Sequence, residues 1–104
     1  DVHHGNGTNS IFYRDPNVLF FSTHQWGIYP GTGWWDEVGE GAGVGYSVNV
    51  PMLPGWGDAA LRQIFDDLLV PVARRFQPQL ILVSAGYDPS WTDRLGSLLV
   101  TTQG

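Results

Sequence analysis

Residues Tyr46 to Gly86 constrain the fold more tightly than any other stretch. "YSVNV" (Tyr46–Val50) alternates in character and stops at Pro51, as a short strand does. Asp58 stands where an N-cap belongs, and Leu61, Ile64, Phe65, Leu68, Leu69, Val72 and Phe76 follow at helical spacing. Pro71 removes one backbone donor and predicts a kink, while Pro78 closes the segment. "QLILVSA" (Gln79–Ala85) is then continuous, β-branched and ended by Gly86, the pattern of a strand buried on both faces. Strand, crossover helix and strand predict a βαβ unit on a parallel sheet. A third apolar run, "NVLFFST" (Asn17–Thr23), predicts a further buried strand earlier in the chain. The expected class is α/β.

Composition narrows the function classes. The 104 residues fit one domain or part of one, with no internal repeat and no linker. Net charge is −5, with five arginines and no lysine, so no basic stripe exists for a nucleic-acid backbone, and direct DNA or RNA binding is not expected. There is no cysteine, which removes disulfide frameworks and thiolate metal sites. No apolar run reaches the ~18 residues that span a bilayer, so no membrane segment is expected. With no signal-peptide pattern and no initiating Met, the chain reads as an internal piece of a longer protein of cytoplasmic location.

In open parallel sheets ligands bind beyond the carboxyl ends of the strands. "STH" follows the first strand, "GYD" follows the last, and "DVHH" stands where an upstream strand would have ended. Asp1 and His3 are two apart, so in extended chain both face one way while Val2 faces the core. That spacing lets a carboxylate and an imidazole grip one ion, with Asp88 as third ligand. Three protein ligands leave a position for water, as catalytic zinc sites require. The alternative from spacing alone is an N-capping Asp1 and two loop histidines bonded to backbone.

"DVHHGNGT", "STHQWGIYPGTG", "YSVNVP" and "LILVSAGYD" followed by "DRLG" occur in the order and rough spacing of the histone deacetylase family, which the chain resembles across nearly its whole length; the bacterial and class II-like members are the nearest match. The resemblance implies a partial three-layer α/β/α parallel-sheet fold of the arginase/deacetylase type, with residues 1–104 forming the central part of the catalytic domain. It implies zinc-dependent hydrolysis of an acylated lysine or related acylated amine. Asp1, His3 and Asp88 fall on the family's zinc ligands, His4 on a supporting histidine beside them, and Asn6 on the partner of a catalytic histidine. Ser22 and Thr23, with the backbone oxygens of Asp1 and His3, match a monovalent cation site, usually potassium. Backbone oxygens around Phe12, Asp15, Val18 and Tyr46 match a second, weaker one. Tyr29, before "PGTG", matches an aromatic wall of the substrate tunnel.

Two departures follow from the same resemblance. The family's tandem catalytic histidines lie upstream of "DVHH" and its oxyanion-stabilising tyrosine lies downstream of Gly104. The chain is therefore expected to hold no catalytic acid–base residue of its own, to be inactive alone, and to self-associate through exposed apolar edges. "DRLG" replaces the family's usual "DPLG", and Asp93 is expected to buttress the loop holding Asp88. A metal-binding but non-catalytic module is the alternative. A Trp-rich sugar-binding domain would use Trp26, Trp34, Trp35, Trp56 and Trp91, but leaves "DVHHGNG" and "SAGYD" without a role. "GEGAGVG" (Gly39–Gly45) lacks both GxGxxG and a Walker lysine, and reads as a flexible loop. His24 reads as a structural hydrogen-bonder.

Overall fold

A computed structural model describes all residues, 1–104, and the chain divides into two compact units. One is His3–Met52; the other is Asp1–Val2 together with Leu53–Gly104.

The His3–Met52 unit is built on two parallel strands, β1 (Phe20–Gln25) and β2 (Ser47–Met52), in the register Phe20↔Ser47 through Gln25↔Met52. Both expected strands form, each shifted toward its C-terminal end. Phe20 and Met52 are buried, and so are Ser22, His24, Gln25, Ser47 and Asn49, which makes this interior polar. Helix α1 (Asn6–Phe12) precedes β1. "NGTN" is poor helix-forming sequence, which is why the pattern gave no hint of it. Its buried residue is Asn9, whose Oδ1 accepts from the Ser47 hydroxyl at 3.0 Å, so a polar contact anchors the helix.

The link between β1 and β2 contains no helix, only a 3-10 turn at Gly41–Gly43. The flexible loop expected at Gly39–Gly45 is instead closely packed. A Cβ at Gly39 (φ +103°) would run into the Gly43 carbonyl, and one at Gly43 would come within 2.5 Å of the Tyr13 carbonyl. Backbone meets backbone there, and only glycine permits it.

In the other unit, the expected single helix is α2 (Asp58–Ile64), a π-helical stretch (Phe65–Leu69) and α3 (Val70–Phe76) in succession. The Val70 N–H reaches back five residues to the Phe65 carbonyl. That wider turn stands immediately before Pro71, which has no N–H to give, so the missing donor is absorbed by a π-bulge. Gln77 closes α3 in the left-handed region (φ 56°), just ahead of Pro78. Asp58 is not the N-cap. Gly57 occupies that position, and Asp58 accepts from the Thr101 N–H (2.6 Å) and hydroxyl (2.5 Å).

The strand expected at Gln79–Ala85 is not formed. Leu80, Ile81, Leu82 and Val83 are 69–85% exposed and pair with no strand, and an extended run without a ladder partner is not a strand. The bridges in this unit join Gly57 to Leu99 and Ser90 to Val100. No helix is long and apolar enough to cross a membrane.

Candidate metal centre

Val2 is fully buried, worth about 1.5–3 kcal/mol, and its burial fixes which way its neighbours face. The Asp1 nitrogen donates to the Gly86 carbonyl at 2.8 Å, and the Val2 N–H donates to Asp88 Oδ1 at 2.8 Å. A Cβ on Gly86 would lie 2.8 Å from the Asp1 Cα and 3.1 Å from Asp88 Oδ1, so glycine is what allows the two segments to touch. Gly96 does the same from the other side, where a Cβ would meet the Asp88 carbonyl at 2.9 Å. Asp93 Oδ1 accepts the N–H groups of Leu95 and Gly96, both at 2.8 Å, and so closes the turn in which Gly96 lies against the Asp88 carbonyl, despite the arginine at position 94.

Asp1 and Asp88 thereby offer two carboxylates within 4.8 Å of each other in one unit, and His3, another possible ligand, follows Val2 directly in the chain. Asp1 is exposed and the other two are half-buried. Two carboxylates and one imidazole suit a zinc-like divalent ion, nearly balance its charge and leave coordination open.

The remaining site residues fall as follows. His4 is buried; its Nδ1 lies 2.8 Å from the Thr32 hydroxyl and its Nε2 3.4 Å from Asn9 Nδ2. Burial pushes its pKa below the ordinary 6.5, partly offset by the charge of Glu37. Asn6 is exposed at the start of α1, on a cleft of about 560 Å³ also lined by His4, Asn9, Thr32 and Glu37. Tyr29 is 77% exposed, with its ring edge-on to His3 at 6.1 Å. Ser22 and Thr23 lie on β1 opposite Asn49 and Val50. Phe12 ends α1, Asp15 and Val18 follow it, and Tyr46 directly precedes β2. The Phe12 and Tyr46 carbonyls each accept one main-chain N–H, from Asp15 and Phe20.

Sequence reasoning missed a polar scaffold behind these residues. Glu37 Oε1 accepts the N–H groups of Gly33 (2.8 Å) and Trp34 (3.0 Å), and its carbonyl accepts from Asn49 Nδ2 (2.9 Å). The buried Asn49 Oδ1 has no partner. His24, 1% exposed, contacts the Ser22 hydroxyl and the Gly33 carbonyl, the structural role its sequence position indicated. Burial is also the main force lowering its pKa. Trp26 and Trp34 pack against each other with rings 4.3 Å apart, whereas Trp35, Trp56 and Trp91 are exposed.

Residues 1–104 match the model of the histone deacetylase domain. The chain belongs to the histone deacetylase family. It is 53% identical over 102 residues to chloroplastic histone deacetylase 14 of Arabidopsis thaliana, covering 98% of this chain and 24% of that protein. It is 50% identical to a probable deacetylase of Archaeoglobus fulgidus, covering 100% of this chain and 29% of the relative. The histone deacetylase fold is shared with a solved acetylpolyamine aminohydrolase from Burkholderia pseudomallei (TM-score 0.94, 40% identity, 100% of this chain and 31% of that one). The histone deacetylase Clr3 structure gives a TM-score of 0.93 at 44% identity, over 97% of this chain and 18% of that one. The chain thus spans about a quarter of the length of these two curated relatives, 24% and 29%. Its fold class is the α/β, parallel-sheet class that the sequence indicated.

Proposed function

We propose that the protein containing this chain is a zinc-dependent amidohydrolase that removes an acyl group, typically acetyl, from a lysine side chain or a related amine. The observation that carries this reading is the approach of the Asp1 and Asp88 carboxylates within 4.8 Å, with His3 two residues from Asp1, in a chain of this family. Zinc in such a site supplies Lewis-acid polarisation of an amide carbonyl and lowers the pKa of water.

The chain's own contribution is to hold and aim. Asp1 and Asp88 bring the negative charge that retains a dication, and the imidazole of His3 offers a nitrogen ligand. The Val2 N–H donates to Asp88 Oδ1 and so helps to orient that carboxylate. Tyr29 offers an exposed aromatic face near His3, suited to packing the alkyl stem of an acylated amine. A monovalent cation is held by the Ser22 hydroxyl with main-chain oxygens of Asp1, His3 and Thr23, and a weaker one by carbonyls of Phe12, Asp15, Val18 and Tyr46. Acid–base and oxyanion groups come from outside these residues.

The relatives' names divide between histone deacetylase and acetylpolyamine aminohydrolase, so both amine classes enter the test. The full-length protein is assayed on a fluorogenic acetyl-lysine peptide and on an acetylated polyamine, with and without a chelator. Chelator-sensitive acetate release that returns on adding zinc is the expected result. Turnover that persists after metal removal is proven by elemental analysis would overturn the zinc reading.

A further inference from the structure

The His4 side chain is held at both ring nitrogens by groups of its own unit. Nε2 lies 3.4 Å from Asn9 Nδ2, and Asn9 Oδ1 in turn accepts the Ser47 hydroxyl at 3.0 Å. Nδ1 lies 2.8 Å from the Thr32 hydroxyl. Gly33 presses so closely on the ring that a Cβ there would fall 2.6 Å from His4 Cγ and Cδ2. The Asn6 N–H donates to the His4 carbonyl at 2.8 Å, so the main chain is held as well as the ring. His3 is joined to this fixed residue through one planar peptide.

The turn that meets His4 has no apolar anchor of its own, since Gly31 and Thr32 are exposed and Gly33 has no side chain. Glu37 supplies the anchor. Its Oε1 accepts the N–H groups of Gly33 at 2.8 Å and Trp34 at 3.0 Å, and bonds to a carboxylate are roughly twice as strong as neutral ones. Its own N–H donates to the Trp34 carbonyl at 3.0 Å, which closes the turn from the other side. Its carbonyl accepts from Asn49 Nδ2 at 2.9 Å, and Asn49 is buried on β2. Ser47 lies on β2 too. Both holds on the His4 ring therefore end on one strand, the first through Asn9 and the second through Glu37.

We propose that Glu37 is a positioning residue for the metal centre: by holding Thr32 and Gly33 against His4, it fixes the stretch that carries His3, the nitrogen ligand. Outer partners that restrain a ligand reduce the freedom it must give up on binding, so losing one weakens the metal while every ligand remains. The inference rests on the zinc reading given above. Glu37 acts through the turn and has no need to touch the ion.

The test measures zinc affinity of the full-length protein by competition with a chromogenic chelator, for wild type, Glu37→Gln, Glu37→Ala and Asp58→Ala. Glutamine keeps Oε1 as an acceptor and alanine removes it. Asp58 belongs to the other unit and bonds to Thr101, so its variant controls for general loss of stability. Glu37→Ala is expected to bind zinc about 10–100-fold more weakly, with Glu37→Gln within about 3-fold of wild type and Asp58→Ala unchanged. Wild-type affinity in Glu37→Ala overturns the role of Glu37 and leaves the zinc reading standing. So does a Gln protein as weak as the Ala one, which would make charge the cause, or an equal loss in Asp58→Ala, which would make stability the cause. A wild type that binds no zinc overturns the zinc reading and this role with it. Should Glu37→Ala not fold, Thr32→Val decides, because it removes only the hydroxyl that meets His4; wild-type affinity there overturns the positioning.

Discussion

The N–H of Val2 donates to Asp88 Oδ1 at 2.8 Å across 86 positions of sequence. A buried, chemically inert valine thereby aims a carboxylate. The side chain of Val2 locks the main chain, and the main chain orients the acidic group that the metal reading depends on. Changing Asp88 to alanine removes that group while leaving Val2 buried. Divalent-metal affinity, measured by competition with a chromogenic chelator, is expected to fall by more than the roughly 10–100-fold that losing an outer partner costs. Unaltered affinity in a folded Asp88→Ala protein would exclude Asp88 as a ligand.

Asp93 tests the same relationship one step further out. Its Oδ1 receives two N–H groups at 2.8 Å, and Asp93→Ala leaves both without that acceptor. Metal affinity is expected to drop about 10–100-fold with the ligand set intact. Asn at this position retains an acceptor oxygen and should recover most of the loss. Equal affinities for the Asn and Ala proteins would show that the turn holds itself.

Two glycines with similar backbone angles predict different costs. Gly33 (φ +90°) has two histidine rings within 2.6 Å of a would-be Cβ, whereas Gly27 (φ +85°) has nothing within 4 Å. Gly27→Ala should cost about 1–2 kcal/mol, from backbone strain alone. Gly33→Ala adds overpacking of about 1–3 kcal/mol. Urea denaturation of the two variants measures the difference; equal midpoints would contradict the packing at Gly33.

His4 and His24 set an acid limit on stability. Burial holds both below the ordinary 6.5, so the unfolded chain binds protons that the native rings refuse. Native stability is therefore complete above about pH 6.5 and declines as pH falls below it, by at most about 1.4 kcal/mol per pH unit for each ring. Urea midpoints of metal-free protein at pH 7.5 and 5.5 check the sign. A midpoint that rises on acidification would mean the rings are charged in the native state.

The α/β fold class and the family were legible in the sequence, while several individual elements were not. The i, i+2 spacing of Asp1 and His3 foretold the burial of Val2 between them, because alternation is local geometry. Strand β1 was visible as an apolar run and β2 as an alternating one. Helix α1 was not, since Asn6–Asn9 carry weak helix propensity and the contact holding Asn9 is to Ser47, far along the chain. Gln79–Ala85 shows the opposite failure. Its composition is that of a strand, but pairing is a property of two segments, and composition describes only one. The Glu37 grip on Gly33 and Trp34 left no mark either, because a glutamate in a polar loop looks the same whether it faces solvent or peptide N–H groups.

The tie between β1 and β2 also bears on how the chain finds its structure. Parallel neighbours cannot be joined by a tight turn, and here the excursion from Gln25 to Ser47 passes through six glycines with positive φ, at 27, 31, 33, 39, 41 and 45, and no helix that could form early by itself. Such a segment has high entropy when unfolded and few local contacts to order it in advance. Strand pairing must await closure of the whole excursion, so the rate-limiting step for this half of the chain is expected to be slow and sensitive to loop composition. Replacing Gly41 (φ +57°) with a D-amino acid by chemical ligation removes freedom from the unfolded chain without opposing the native backbone, and is expected to accelerate folding.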